Sequence, residues 1–106
     1  MEERGYEVRE SKTSDLLETP GFDLNSYSAV ITDCDLPYLN GLTAVRVIAH
    51  EPKPVPCLVH SWSKIIEKGN LKISLPTLAE EHGFVTYRER RVGATEYLWR
   101  FLQKCS

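Results

Sequence analysis

The stretch VITDCDLPYLNGL, residues 30–42, decides the predicted fold. An apolar run ends in two aspartates, Asp33 and Asp35, and Pro37 and the pair Asn40-Gly41 follow within a few residues. The preceding segment SAVIT (28–32) is apolar and β-branched without alternation, which is typical of a strand covered on both faces. The sequence therefore predicts carboxylates at the carboxyl end of a buried strand, beside a turn that is difficult to deform.

Strands and helices alternate along the rest of the chain. Apolar runs predict further strands, and spacings of three and four residues predict helices. The strands are predicted at 6–11, 28–32, 57–60 and 83–87, and the helices at 13–18 (N-cap Thr13 or Ser14), 42–50, around Ile65 and Ile66, from Pro76 to Glu80 (N-cap Thr77), and 93–105. Three prolines make 51–56 an extended connector. This order predicts an α/β fold with an open, doubly wound parallel sheet.

Composition limits the classes of function. The chain has 106 residues, 42% of them hydrophobic, and a net charge of −2, so we expect one domain with little attraction to nucleic acid or anionic membranes. No apolar stretch reaches the roughly 20 residues of a membrane span, and the polar start is not a signal peptide. Cysteines at 34, 57 and 105 are odd in number and form no CxxC pair, which favours a reduced, cytoplasmic protein.

Two polar residues fall where predicted strands end. Asp33 follows the strand at 28–32, and Ser61 follows the strand at 57–60. Sites of open α/β sheets lie at the carboxyl ends of their strands. We therefore expect Asp33 and Ser61 to lie within reach of one small ligand.

On these residues the chain resembles the receiver domain of bacterial two-component response regulators. The family pattern of an apolar strand, Asp, a loop proline and an Asn-Gly or Asp-Gly pair is matched in order and spacing by residues 30–41, and the resemblance extends from about Gly5 to the end, most weakly over 62–83. It implies a flavodoxin-like fold with Asp33 as phosphoacceptor and Ser61 as the switch hydroxyl. It also implies Mg²⁺ held by Asp33 and the backbone carbonyl of Asp35, with a histidine kinase or phosphotransfer protein as partner.

The sequence departs from the family pattern at three places. No apolar strand precedes Tyr6, so residues 1–106 are predicted to form a single receiver-like domain that lacks its first strand and is incomplete at the N-terminus. Tyr87 stands where the family has a lysine, and Trp62 stands where it has a small residue. Without the family's acidic pair, we expect Mg²⁺ to bind weakly or not at all. We also expect the strand at 6–11 to pair directly with 28–32, or the chain to form a homodimer.

Three functions follow from these observations. The first is a phosphorelay receiver that works by switching contacts rather than by turnover, with a possible output domain. The second is a pseudo-receiver that binds proteins without phosphorylation, and the third is a small hydrolase built on Asp33, Ser61 and His82. The basic run Arg88-Glu89-Arg90-Arg91 is predicted to be a solvated loop rather than a nucleic-acid or phosphate contact.

Overall fold

The computed structural model describes residues 2–3, 5–11, 14–35 and 39–105. Two short 3-10 helices span Ser14–Glu18 and Leu24–Ser26. The strands are β1 (Glu2–Glu3), β2 (Tyr6–Glu7), β3 (Val30–Asp33), β4 (Cys57–Ser61), β5 (Ile65–Lys68), β6 (Leu71–Ser74) and β7 (Val85–Glu89), and the α-helices are α1 (Asn40–Ala49), α2 (Leu75–Glu81) and α3 (Glu96–Cys105).

Three parallel strands form the main sheet in the order β3-β4-β7. Val30 is aligned with Cys57, and Cys57 in turn with Val85. The central strand β4 is covered on both faces, because Leu58 and its two neighbours are almost completely buried. The α/β class and the parallel sheet predicted from the apolar runs are therefore confirmed.

Helix α1 begins earlier than the sequence predicts. Asn40 and Gly41 belong to the helix and do not form a turn, and the residue with positive φ is Leu39, at 50°. Gly41 allows the helix to approach β3 closely, since a Cβ there would lie 2.7 Å from Cys34 Cβ. Pro37, which the sequence places in this loop, lies outside the described residues.

The segment around Ile65 and Ile66 is a β-hairpin, and the predicted helix is wrong. Strands β5 and β6 pair antiparallel, and Gly69 adopts a φ of 61° in the turn between them. A Gly-Asn pair between β-branched runs is a hairpin signal, because the turn needs a residue that tolerates positive φ. The single buried side chain of β5 is Ile66, which anchors the hairpin to the core.

The second half of the chain differs from the prediction mainly in boundaries. Helix α2 is capped by Ser74, whose Oγ accepts a hydrogen bond from Thr77 N at 3.4 Å, so Thr77 is not the N-cap. Strand β7 begins and ends two residues later than predicted, at Val85 and Glu89. This shift determines which basic residue lies at the end of the sheet.

The N-terminal strand does not join the main sheet. β2 pairs antiparallel with β1, and the Tyr6 ring stacks on Trp99 of α3 with centroids 6.3 Å apart. The expected direct pairing of 6–11 with 28–32 is therefore wrong, because the strand is only two residues long and is held elsewhere. Within the described ranges, no strand lies beside the outer edge of β3. Of the helix predicted at 13–18, Ser14–Glu18 form a 3-10 helix, which makes an ion pair with α1 through Glu18 and Arg46. Thr13, one of the two predicted N-cap residues, lies outside the described residues.

None of the helices in the described part of the chain combines the length and hydrophobicity of a membrane span.

Candidate functional site

Three strands end at one edge of the sheet and bring polar side chains together there. Asp33 ends β3, Ser61 ends β4, and Arg90 directly follows β7. The parallel register aligns Asp33 with His60 and Ser61 with Glu89, so these strand ends lie side by side. The structure thus brings Asp33 and Ser61 to the same edge, as the sequence predicts.

The Ser61 hydroxyl is completely buried and lies against the Asp35 carboxylate. Its Oγ lies 2.7 Å from Asp35 Oδ1 and 3.1 Å from the Cys34 carbonyl oxygen. A hydroxyl donates one hydrogen, and the shorter contact to a charged acceptor is the stronger one. Trp62 N also donates to Asp35 Oδ1, at 3.1 Å, and Ser63 N donates to Ser61 Oγ at 3.2 Å. The Asp35 side chain is therefore part of the site, which the sequence did not indicate.

Arg90 supplies the positive charge of the site. Its Nη1 lies 3.9 Å from Asp33 Oδ2 and 4.0 Å from Asp35 Oδ2. The guanidinium also stacks over the Trp62 ring at 4.9 Å, and the Arg90 backbone N donates to the Ser61 carbonyl at 2.8 Å. The Asp33 side chain remains 45% exposed. The edge therefore holds two carboxylates and one cation, with one of the carboxylates accessible from solvent.

The prediction of a solvated loop at Arg88–Arg91 is wrong for Arg90. Because β7 continues to Glu89, Arg90 rather than Tyr87 or Arg88 lies at the end of the sheet. Arg88 is exposed, and its Nη1 donates to the Tyr87 carbonyl at 2.8 Å. If the last strand is predicted to end at Glu89 and not at Tyr87, the sequence places Arg90 at the carboxyl end of the sheet.

Tyr87 and Trp62 occupy the two other places where the sequence departs from the family pattern. Tyr87 is aligned with Val59 inside the sheet, and its hydroxyl is buried without a hydrogen-bond partner among the described residues. Partial burial raises its pKa, and the nearby Glu89 and Asp35 raise it further. Trp62 is 52% exposed and packs against Arg90.

A metal ion at this edge would compete with Arg90. The Asp35 carbonyl accepts a hydrogen bond from Leu39 N at 3.0 Å, and the Asp35 and Asp33 carboxylates both face the guanidinium. In the described part of the chain, no group of three or more His, Cys, Asp or Glu side chains is arranged to hold a metal. Asp33 and Asp35 therefore fit Mg²⁺ only if Arg90 moves aside, and weak Mg²⁺ binding stays a prediction.

The hydrolase arrangement is contradicted by the position of His82. This residue caps the C-terminus of α2 and precedes β7, whereas Ser61 and Asp33 lie at the carboxyl ends of their strands. Because the strands are parallel, His82 lies at the amino ends of the strands, and Asp33 and Ser61 lie at their carboxyl ends, on the opposite side of the sheet. The His82 ring instead packs on Phe84, with centroids 5.6 Å apart.

Two further titratable side chains lie near the site. His60 Nδ1 is 2.9 Å from the Tyr97 hydroxyl of α3, and burial, followed by the charge of Arg90, lowers its pKa. The Cys34 thiol is buried, which raises its pKa to about 11, and Asp35 and Asp33 raise it by smaller amounts. Cys34 is therefore a core residue and not a reactive thiol.

No protein-family model, curated protein or solved structure matches the chain.

Proposed function

We propose that the chain is a receiver-like module of two-component phosphorelay signalling, with Asp33 as its phosphoacceptor. One observation carries the proposal: an accessible carboxylate, a buried hydroxyl and a guanidinium meet at the carboxyl ends of three neighbouring parallel strands. This is the edge at which α/β sheets place their ligands. The resemblance of residues 30–41 to the receiver pattern supports the same function and the flavodoxin-like, doubly wound arrangement.

The proposed reaction transfers a phosphoryl group from a phosphohistidine of a histidine kinase or phosphotransfer protein. An Asp33 oxygen attacks phosphorus, the P–N bond breaks, and its electron pair stays on the departing imidazole. Arg90 offsets the charge on the phosphoryl oxygens, and Ser61 turns from Asp35 to donate to one of them. Asp33 and the Asp35 carbonyl would hold Mg²⁺ once Arg90 has turned toward the phosphoryl group, and the metal would add charge neutralisation there. The product is an acyl phosphate that switches contacts in a cytoplasmic signalling protein, without turnover of a substrate.

A second candidate is a pseudo-receiver that binds its partner without phosphorylation. The hydrogen bond between Ser61 and Asp35 favours this candidate, because the hydroxyl already has a charged acceptor. Arg90 likewise already faces two carboxylates. In this second candidate the site is a fixed structural feature that holds Trp62 in place for a protein contact.

Phosphorylation by a small-molecule donor separates the two candidates. We expect the full chain, incubated with phosphoramidate and Mg²⁺, to gain the mass of one phosphoryl group, labile to hydroxylamine, and Asp33→Asn to gain none. The matched control is Asp23→Asn, since Asp23 is an exposed cap of a 3-10 helix that asparagine also caps. Incorporation that persists in Asp33→Asn contradicts the phosphoacceptor role, and a wild-type chain that gains no phosphoryl group favours the pseudo-receiver.

A further inference from the structure

Among the described residues, no strand pairs with the backbone groups on the outer edge of β3. Val30 N–H donates to the Pro56 carbonyl at 2.9 Å, and Cys34 N–H donates to the His60 carbonyl at 3.0 Å. In a parallel strand, alternate residues turn both backbone groups toward the same neighbour. The N–H and C=O of Ile31 and the N–H of Asp33 therefore point away from β4, to a side where the described residues provide no strand.

A cleft of about 330 Å³ lies beside this edge. Strand β3 forms one wall, and the segment that contains the two 3-10 helices forms the other, with Leu17, Phe22 and Leu24 lining it. The side chain of Ile31 is 38% exposed, which is unusual for an isoleucine in a main-sheet strand. The cleft thus combines apolar side chains, polar side chains such as Thr32 and Asn40, and backbone groups of β3 that no described strand pairs with.

Side chains of opposite charge line the cleft. The Arg9 guanidinium lies 5.4 Å from the centre of the Phe22 ring, and Phe22 stacks on Tyr27, three residues before β3, with ring centres 5.5 Å apart. At the carboxyl end of β3, the cleft is lined by His60 and by Asp33, whose carboxylate shares Arg90 with Asp35 and stays 45% exposed. A ligand with a negative group at one end and a positive group at the other is complementary to this arrangement.

We propose that this cleft binds an extended segment of a partner protein, which adds to β3 as a further strand. A peptide backbone satisfies the free N–H and C=O groups of Ile31, whereas a lipid or an apolar small molecule does not. The segment carries an acidic residue near Arg9 and a basic residue near Asp33, with apolar side chains alternating between them. The edge of β3 is about 13 Å long, the length of four strand residues. The inference does not depend on phosphorylation of Asp33.

Amide hydrogen exchange, measured by NMR on the full chain, tests the proposal. The probes are two blocked peptides of about seven residues that alternate valine and threonine. One has glutamate at its amino end and lysine at its carboxyl end, and the other has the reverse order. We expect saturable binding of at least one peptide and slower exchange of the Ile31 and Asp33 amides. The Thr32 amide should change little, because it already faces β4.

Two variant pairs test the hydrogen bonds and the charges separately. Ile31→Pro removes the outward donor and should weaken binding about tenfold, whereas Ile31→Ala, which keeps the donor, should weaken it less. Arg9→Glu should weaken binding about fivefold, whereas the same charge change at the exposed Arg91 should have no effect. If Ile31→Pro does not fold, the proposal is tested by the exchange rates of the Ile31 and Asp33 amides in the wild-type chain, with and without peptide.

Three results would overturn the proposal. The first is no saturable binding of either peptide, and the second is binding that leaves the Ile31 amide unprotected. The third is protection of Ile31 that rises with protein concentration in the absence of peptide, because the occupant would then be a second copy of the chain.

Discussion

At the position that follows β7, the Arg90 guanidinium faces Asp33 and Asp35 at 3.9 and 4.0 Å and stacks on Trp62. Ion pairs at such distances on a partly exposed surface contribute at most about 1 kcal/mol to stability. The larger consequence is electrostatic, since one cation offsets charge on two carboxylates. Asp33 and Ser61 can be predicted because each follows an apolar run, whereas the resemblance to the receiver pattern implies only the backbone carbonyl of Asp35. Arg90 cannot be predicted in this way, because the end of β7 depends on pairing with β4, which the sequence of β7 does not reveal.

Removal of Arg90 should strengthen Mg²⁺ binding. Arg90→Gln leaves Asp33 and Asp35 without their shared cation, and hard divalent cations prefer carboxylate oxygens. We expect Mg²⁺ at about 1 mM to change the thermal unfolding midpoint of the wild-type chain little and to raise that of Arg90→Gln, because a ligand that binds the folded state stabilises it. Arg91→Gln is the control for net charge. Sub-millimolar Mg²⁺ binding by the wild-type chain, abolished in Asp33→Asn, would contradict the competition between Arg90 and the metal.

His60 should make stability depend on pH. Burial lowers the pKa of its imidazole in the folded chain below the ordinary value of 6.5, so the unfolded chain takes up the proton first as the pH falls. The contribution of His60 to the free energy of unfolding is therefore complete above about pH 6.5 and decreases as the pH falls from there through the lower folded pKa. Urea unfolding at a series of pH values measures this decrease. His60→Gln, which can still hydrogen-bond to Tyr97, should show a smaller decrease, and identical profiles for the two proteins would contradict the assignment.

Among the elements, helix α1 depends on one glycine for its position beside the site. A Cβ at Gly41 would meet Cys34 Cβ at 2.7 Å and the Asp33 carbonyl oxygen at 3.2 Å. Both contacts belong to the segment that carries Asp33 and Asp35. The start of α1 and the acidic loop are therefore packed directly against each other.

Gly41→Ala should lower the free energy of unfolding by about 1–3 kcal/mol, since the added methyl group overpacks this contact. Gly83→Ala is the matched control, because a Cβ there meets no atom within 4 Å. It should leave stability unchanged or raise it by about 0.4–1 kcal/mol, through the lower entropy of the unfolded chain. Urea unfolding measures the free energy of unfolding of both variants. Equal losses in the two would show that the close contact between Gly41 and the segment of Cys34 does not matter for stability.

Element prediction succeeded where local pattern and tertiary packing agree. The buried run at 57–60 is read as a strand in both the sequence and the structure, because continuous apolar character is what a central parallel strand requires. The helix predicted around Ile65 and Ile66 is a β-hairpin, because the Gly69-Asn70 pair favours a tight turn that the prediction does not include. The strand predicted at 6–11 is reduced to Tyr6–Glu7, because its only partner among the described strands is the two-residue strand β1.

Across the whole molecule, the site connects strands that are distant in sequence. Asp33, Ser61 and Arg90 come from three segments, and only the parallel register brings them together. The fold class could be predicted from alternating patterns, and the residues at two of the three strand ends could be predicted with it. The contact of Arg90 with Trp62 could not be predicted from the sequence, because it depends on how the segments after β4 and β7 are packed against each other.

The most direct test of the proposed site is a titration with beryllofluoride and Mg²⁺, followed by the fluorescence of Trp62 in a Trp99→Phe background. Beryllofluoride binds an aspartate carboxylate in the shape of a phosphoryl group. Because Arg90 contacts both Asp33 and the Trp62 ring, a ligand on Asp33 that attracts the guanidinium changes the surroundings of the indole. The account predicts a saturable change in emission that is lost in Asp33→Asn and retained in Asp23→Asn. A titration without any change, or a change that persists in Asp33→Asn, would contradict it.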